Sequence, residues 1–245
     1  MFDLRKYLKD NPLLKEEKII IPRNIEGRRE KITQQLNQKI QDYIKNGSQG
    51  SLDLSSTSIA SLPDNLQVGG NLYLRNTKIT SLPNNLQVER NLYLSNTPIT
   101  SLPNNLQVGS DLDLRNTKIT SLPNNLKVRG NLNLMNTLIT SLPDNLQVEG
   151  DLYLGGTKIT SLPDNLQVGG DLYLGNTGIT SLSDNLKVRG NLNLRGTPIT
   201  SLPNNLQVDG YLDLEDTPLS KKYSKNEIQK MIEDKGGYIK RVIYI

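Results

Sequence analysis

The sequence contains no cysteine, no histidine and no tryptophan, and only one phenylalanine among its 245 residues. Without cysteine and histidine, the chain cannot form a Ser/His/Asp or Cys/His nucleophile, a thiolate or imidazole metal site, or a disulfide. Carboxylates, lysines, tyrosines and hydroxyls remain, but these groups need a concave, water-poor pocket to tune them for catalysis. The sequence shows no such cluster. We therefore predict a protein that is not an enzyme and uses no metal or cofactor.

A strong charge of one sign is also missing from the main part of the chain. Residues 1 to 50 carry 11 basic and 7 acidic side chains, residues 51 to 210 carry 11 and 12, and residues 211 to 245 carry 7 and 6. A nucleic-acid-binding protein places a basic stripe along its main surface. Because the long middle section is almost neutral, we expect no nucleic-acid partner.

Long hydrophobic runs are absent as well. Near the N-terminus the longest uninterrupted apolar run is Ile19-Ile20-Ile21. A membrane-spanning helix needs about 18 or more apolar residues, and the core of a signal peptide is also longer than three residues. The sequence therefore predicts a soluble protein without a membrane span or a signal peptide.

An internal repeat of 20 residues dominates the chain. Eight copies run from Leu52 to Tyr211, and a partial ninth copy begins at Leu212. The second copy reads LYLRNTKITSLPNNLQVERN, and the shared framework is L-x-L-x-x-T-x-I-T-S-L-P-x-N-L-x-V-x-G-x. A fixed period of this length is typical of solenoids, in which stacked units bury a continuous core that no single unit could bury alone. The few departures are Ala60, Ser183, Arg90, Ser110 and Leu219.

The second copy shows how each unit folds. Leu72 and Leu74 are two residues apart, so they point to one face of a short strand while Tyr73 points to the other. We expect Thr77 to turn its hydroxyl toward backbone groups of its own or the next coil, where it would satisfy buried amides. The remaining apolar positions close the coil interior: Ile79, Leu82, Leu86 and Val88.

The repeat resembles the leucine-rich repeat, and most closely the short bacterial 20-residue class with Leu-Pro in the second half. That resemblance covers about two thirds of the chain. It implies an α/β repeat solenoid in which each L-x-L element forms a short parallel strand on the concave side. Two columns depart from the family pattern. Thr, as at Thr77, stands where the family usually has Asn. Val, as at Val68, lies four residues before the first Leu of the next unit, whereas the family usually has a Leu three residues before it.

A parallel β-helix-like solenoid remains an alternative at this point. Apolar residues alternate from Leu66 to Leu74, which could form a strand bent at Gly69 and Gly70, giving two sheet faces per coil. Arg90 and Ser110 stand at the second glycine position in two copies, so a glycine-only backbone angle is not required there.

Both ends of the repeat carry segments that we interpret as caps. We divide the chain into an N-terminal helical cap at residues 1–50, a solenoid at 51–219 and a C-terminal cap at 220–245. The C-terminal cap should contain a helix opened by the capping box Ser224 to Glu227 and a final strand, YIKRVIYI. In the N-terminal cap, a short helix near Phe2 and an extended link from Pro12 to Pro22 should precede the main helix. That helix would place these residues on the first coil: Ile32, Leu36, Ile40, Tyr43 and Ile44.

Function is expected where the copies differ, on the outward side of the strands. Adjacent strands lie about 4.8 Å apart, so tyrosines in neighbouring copies should be in contact. Tyrosines of this kind either bind a partner or stabilise the sheet through cross-strand pairing. The candidate partner-binding residues of this concave face are Tyr73, Tyr93, Tyr153, Tyr173, Asp113, Asn133, Arg75 and Arg115.

Two functional hypotheses follow. The first is a protein-binding or scaffolding module that uses the concave face, with a protein partner whose identity the sequence does not reveal. The second is a structural component of a larger assembly that makes its contacts through the terminal segments. Near-identical copies in a chain rich in Lys, Asn and Ile are similar to repeat proteins of bacteriophages and low-GC bacteria, which implies a cytoplasmic or virion-associated location.

Overall fold

The structure is a computed structural model that describes residues 25–164 and 166–243. The short helix predicted near Phe2 and the predicted link from Pro12 to Pro22 lie outside the described residues, as do the last two residues of the tail. Among the helices that are described, none is long and apolar enough to cross a lipid bilayer.

The 20-residue units stack as coils of a solenoid, and each coil contributes two short parallel strands. The main row of strands, formed by the L-x-L elements, is Leu52–Asp53, Leu72–Tyr73, Leu92–Tyr93, Leu112–Asp113, Leu132–Asn133, Leu152–Tyr153, Leu172–Tyr173 and Leu192–Asn193. The second row is Gln67–Val68, Gln87–Val88, Gln107–Val108, Lys127–Val128, Gln147–Val148, Gln167–Val168 and Lys187–Val188.

Pairing within each row follows the repeat without slippage. Leu72 aligns with Leu92, and Tyr73 aligns with Tyr93. In the last coil both rows merge into one long strand, Gln207–Asp213, which joins most of the strands into a single 14-stranded sheet. The first three strands of the second row form a separate sheet.

The leucine-rich-repeat solenoid is confirmed, but the expectation of one strand per repeat was incomplete. The bend between the second and main rows falls at residues such as Gly69 and Gly70, as the β-helix-like alternative required. The Gln–Val segment before the bend is extended with its valine buried, so identical segments in stacked coils pair by backbone hydrogen bonds.

One aliphatic core runs through the coils and is lined by the framework residues. Leu72, Leu74 and Ile79 are fully buried, and Val88 is 2% exposed. Burial of such side chains contributes about 1.5–3 kcal/mol each. Because every coil repeats this set, the core needs no aromatic side chain.

One residue in the left-handed backbone conformation follows each main-row strand and changes the direction of the chain there. Asn76 has φ 56° and Asn116 has φ 56°, and Gly156 and Gly196 take the same place in two other coils. Asparagine and glycine tolerate this backbone conformation better than other residues, which accounts for this column of the repeat.

The threonine that follows this turn directs its hydroxyl to the backbone of its own coil, as predicted, and is buried in every coil but the first. The Thr77 hydroxyl donates to the carbonyl of Leu74 in its own coil, and all nine equivalent threonines do the same at 2.6–2.8 Å. The further expectation that these hydroxyls satisfy buried amides was wrong for most coils: among the described residues, a backbone N–H donates to the hydroxyl only at Thr57 and Thr217. The hydroxyl lies three residues beyond the leucine carbonyl, which is within easy reach as an acceptor.

The N-terminal helix, Ile25–Lys45, covers the first coil. Only some of the residues predicted to contact that coil do so. Ile40 is buried, and Leu36 and Tyr43 pack against the core. Ile32 is 47% exposed and Ile44 is 38% exposed, so their predicted contact with the coil was wrong. The physical reason is the helical period of about 3.6 residues: Leu36 and Tyr43 lie about 40° and 60° from Ile40 on one side of the helix, whereas Ile44 lies about 40° from it on the other side. Ile32 lies about 80° from Ile40 and about two turns nearer the N-terminus.

The C-terminal cap matches its prediction. A short helix, Pro218–Lys222, is followed by a second helix, Lys225–Asp234, with the Ser224 capping box in place. Ile228 and Ile232 of the second helix are buried. The terminal strand, Tyr238–Ile243, pairs in parallel with the long strand of the last coil.

Candidate binding face

The outward side chains of the main row form a continuous surface, which we call the strand face. Each coil contributes three residues to it: the residue before the first leucine, the residue between the two leucines, and the residue after the second. In the second coil these are Asn71, Tyr73 and Arg75, all half-buried. Their fixed positions follow from the rigid, in-register strands beneath them.

The first of these three columns builds a hydrogen-bond ladder along the solenoid. The Asn71 side-chain oxygen Oδ1 accepts the backbone N–H of Asn91 at 3.1 Å, and Asn91 Oδ1 accepts the N–H of Asp111 at 2.9 Å. Eight such bonds, each 2.6–3.1 Å long, connect Ser51 to Tyr211 without a gap. This column, which we call the Asx ladder, satisfies the backbone N–H of the equivalent residue in each following coil.

Tyrosines in neighbouring coils stack as two pairs on this face. The rings of Tyr73 and Tyr93 have their centroids 4.9 Å apart with a 10° angle between planes. The rings of Tyr153 and Tyr173 are 4.6 Å apart at 4°. The strand spacing imposes these distances, so the predicted contact between neighbouring tyrosines is confirmed.

A charged cluster adjoins the first tyrosine pair. The Arg75 guanidinium carbon lies 4.1 Å from the centroid of the Tyr93 ring, and its Nη2 lies 3.4 Å from Asp113 Oδ2. Arg115 donates to both oxygens of Asp113, from Nε and Nη2 at 2.9 Å each. Burial raises the pKa of Asp113, but the hydrogen bonds from Arg115 and the two positive charges outweigh it and hold that pKa below its usual range.

The type of ladder residue determines whether the neighbouring tyrosine hydroxyl accepts or donates a hydrogen bond. Asn71 uses its oxygen for the ladder, so its Nδ2 donates to the Tyr73 hydroxyl at 2.8 Å. In the second pair the ladder residue is an aspartate, and the Tyr153 hydroxyl donates to Asp151 Oδ2 at 2.9 Å. Burial and this hydrogen bond raise the pKa of Tyr153 to about 12.

Seven of the eight predicted binding residues fall into two groups, and the eighth lies between them. The first group contains Tyr73, Tyr93, Arg75, Asp113 and Arg115, which are linked by the contacts above. Tyr153 and Tyr173 form the second group two coils farther along. Between the groups lies Asn133, whose side-chain oxygen accepts the backbone N–H of Met135 at 3.2 Å and which contacts neither tyrosine pair through a hydrogen bond.

Sequence reasoning missed two sets of residues that shape this face. The ladder column looked like an ordinary solvent-facing column, and its signal was that nearly every copy has Asn or Asp there. Gly155 and Gly175, in the third column beside the second tyrosine pair, were read only as variation. These glycines become informative only by comparison with the first pair, in which Arg75 occupies the position equivalent to Gly155.

The described part of the chain contains no cluster of side chains suited to binding a metal ion. No group of three or more carboxylates comes together there in a way that could hold a metal ion. A shallow polar groove follows the second row of strands and contains none of the strand-face residues. It is lined by residues that include Glu149, Gln167, Asp184, Lys187 and Arg189.

Comparisons with known proteins returned structural neighbours alone. No protein-family profile matches the chain, and no curated protein matches it. Among solved structures, YopM, a leucine-rich effector protein from Yersinia pestis, is 20% identical, with a TM-score of 0.46 over 75% of this chain and 65% of that one. A leucine-rich repeat protein from Leptospira interrogans is 19% identical, with a TM-score of 0.29 over 77% and 83% of the two chains. YopM from Yersinia enterocolitica is 16% identical, with a TM-score of 0.28 over 85% and 66%.

The architecture is established by the chain itself. Its 20-residue L-x-L units form stacked coils, and the first leucine of each unit aligns with the first leucine of the next across parallel strands. The inward leucines are buried and the variable residues face outward. The chain is a leucine-rich repeat solenoid of 20-residue coils.

Proposed function

We propose that this solenoid is a non-enzymatic protein-binding module and that the strand face is its docking surface. The observation that carries the proposal is the presence of two stacked tyrosine pairs, whose half-exposed rings are held in fixed positions by the sheet. Tyrosine offers a large contact area with a polar tip and loses little conformational entropy on binding. A partner would therefore meet a surface that is already organised.

Charge and hydrogen bonding divide this surface into unlike parts. Around the first tyrosine pair, Arg75 and Arg115 enclose the buried carboxylate of Asp113. Around the second pair, Asp151 and Asp171 accept hydrogen bonds from the tyrosine hydroxyls. A surface with such internal variety can select one partner among many, because each polar group must be matched on the other side.

The test is a double substitution, Tyr93→Ser with Tyr153→Ser, measured against the native partner isolated from the host. One tyrosine is then lost from each pair, and we expect binding to weaken by more than about 2 kcal/mol, which is about a 30-fold increase in Kd. Tyr238→Ser is a matched control, since Tyr238 is 56% exposed on the terminal strand and away from the strand face. Unchanged binding by the double variant would refute the proposal.

A second candidate function is assembly through the ends of the solenoid. Two exposed isoleucines on the N-terminal helix, Ile32 and Ile44, favour it, because exposed apolar side chains at a terminal cap can contact another protein. Removing the whole helix would also uncover the first coil, on which Ile40 is buried. The sharper test is Ile32→Ser with Ile44→Ser: loss of all partners would favour assembly through the ends, whereas retained binding would exclude assembly through these two isoleucines.

A further inference from the structure

The two tyrosine pairs are built alike, four coils apart, and they differ in what surrounds them. Both pairs stack with centroids within 5 Å, on the same two strand positions of consecutive coils. Residue for residue, Tyr73 corresponds to Tyr153 and Tyr93 to Tyr173. The first pair can therefore serve as a reference for the second within one molecule.

In the first pair, a cation from the chain itself occupies the open ring face. Tyr73 covers one face of Tyr93, so the guanidinium of Arg75, 4.1 Å from the ring centroid, lies on the other. From there it reaches Asp113. A guanidinium over a tyrosine ring is attracted by the negative ring face, and a nearby carboxylate strengthens the arrangement.

In the second pair, the residues that would supply this cation are glycines. Gly155 stands where the first pair has Arg75, and Gly175 stands where it has Ser95. Among the described residues, no cationic side chain lies over the ring of Tyr153 or Tyr173. Both rings are only half-buried, so a side chain from outside can reach the open face.

Negative charge is added at the same place. The first pair has the neutral ladder residues Asn71 and Asn91, and the second has Asp151 and Asp171. Within the part of the chain that the structure describes, neither aspartate has an ion-pair partner, although Asp171 also accepts from the Asn191 side chain at 3.1 Å. The neighbouring Arg195 is engaged with Glu215 at 2.7 Å, so its charge is already matched.

We propose that the second pair, with Asp151, Asp171 and the space above Gly155 and Gly175, is a receptor for an arginine side chain of a partner polypeptide. The incoming guanidinium takes the place that Arg75 fills in the first pair, on the open face of Tyr173. Asn193 stands there instead of Asp113, so Asp151 and Asp171 supply the negative charge. The guanidinium stacks on the tyrosine ring, near two carboxylates that have no ion-pair partner among the described residues. A planar guanidinium fits this site better than a lysine ammonium, because it can stack and hydrogen-bond at once. This inference rests on the proposed function, whose docking surface it makes specific.

The first experiment uses a short Gly/Ser peptide with one central arginine, and the same peptide with glutamine instead. Titration into full-length protein with ¹³C-labelled tyrosine, followed by NMR, reports each of the four rings separately once the single variants have assigned their signals: Tyr73→Phe, Tyr93→Phe, Tyr153→Phe and Tyr173→Phe. We expect the Tyr153 and Tyr173 signals to shift with the arginine peptide, at a Kd of about 1 mM. Equal shifts at Tyr73 and Tyr93, equal shifts with the glutamine peptide, or no shift at about 10 mM peptide would overturn the proposal.

The second experiment fills the site from within. Gly155→Arg places an arginine where the first pair has Arg75, and an added Cβ there meets its nearest atom, the Gly175 carbonyl oxygen, at 3.3 Å. We expect this variant to weaken peptide binding by about tenfold or more. Gly178→Arg is the matched control, since it adds the same charge in a column where other copies carry lysine. Equal loss in both variants would mean that only net charge matters and would overturn the site.

The third experiment tests the carboxylates while keeping the ladder intact. Asp151→Asn with Asp171→Asn leaves a side-chain oxygen for each ladder bond, so the fold is retained, and we expect peptide binding to fall about tenfold. The reciprocal variant, Asn71→Asp with Asn91→Asp and Arg75→Gly, should create a second arginine site at the first tyrosine pair. Unchanged binding in the first variant would overturn the proposal.

Failure of this inference and failure of the proposed function have different signatures. If the native partner is lost on Tyr93→Ser with Tyr153→Ser but Asp151→Asn with Asp171→Asn binds it normally, the face docks a protein without an arginine at this site. If instead the peptide binds at the second pair but the native partner ignores both tyrosines, the arginine receptor stands and the strand-face docking of that partner fails.

Discussion

The Asx ladder should contribute to stability through single, identifiable hydrogen bonds. Asn131→Ala removes the oxygen that accepts the backbone N–H of Asp151 at 2.7 Å. Leaving a buried donor without an acceptor costs about 1–3 kcal/mol. Because Asn131 is half-buried and water can replace part of the lost bond, we expect a loss of about 1 kcal/mol, at the lower end of that range.

A conservative variant separates the hydrogen bond from side-chain size. Asn131→Ser keeps an oxygen on the same column, and Ser51 already accepts the Asn71 amide in this way at 3.0 Å. We expect the serine variant to lose less than about 0.5 kcal/mol. Urea denaturation followed by circular dichroism gives both values, and hydrogen exchange at the Asp151 amide should accelerate in the alanine variant alone. Equal losses for alanine and serine, with unchanged exchange, would refute the ladder as a source of stability.

Three further outcomes follow from the core, the turn and the charged cluster. Leu132→Ala should cost about 2–5 kcal/mol in chemical denaturation, since this leucine is fully buried, whereas the exposed Lys187→Ala should cost less than about 0.5 kcal/mol. Ser183→Pro should change the melting temperature little, because the gain of about 0.4–1 kcal/mol from a stiffer unfolded chain offsets the loss of a hydroxyl bond of 3.1 Å to a neighbouring coil. Asp113→Asn should lower the melting temperature most at neutral pH: the folded pKa of Asp113 is depressed, so the stability it contributes is present above about pH 4 and disappears as pH falls through the folded pKa.

The sequence was enough to predict the solenoid because the physical signal repeats. In every copy two leucines flank one outward residue, as Leu72 and Leu74 flank Tyr73, and that period of two determines which side chains are buried. The period of 20 then places equivalent residues in contact, which led to the two tyrosine pairs. The capping box at Ser224 similarly predicted the start of the C-terminal helix.

Other features depend on distances between coils that a sequence pattern does not contain. The ladder oxygen of Asn71 bonds the next coil only because the strand spacing brings the amide within 3.1 Å. Arg75 reaches past its own coil to Tyr93 and Asp113, a path set by side-chain geometry. The open place beside Gly155 has meaning only by comparison with that arginine. These contacts therefore emerged from the structure.

Site-specific photo-crosslinking tests the central claim most directly. A benzophenone amino acid at position 133 lies in the middle of the strand face, between the two tyrosine pairs, and the same group at position 145 lies in an exposed turn of the coil, outside the strand face. If the strand face is the docking surface, the native partner should crosslink from position 133 and not from position 145. Crosslinking from position 145 alone, or equally from both positions, would contradict the account.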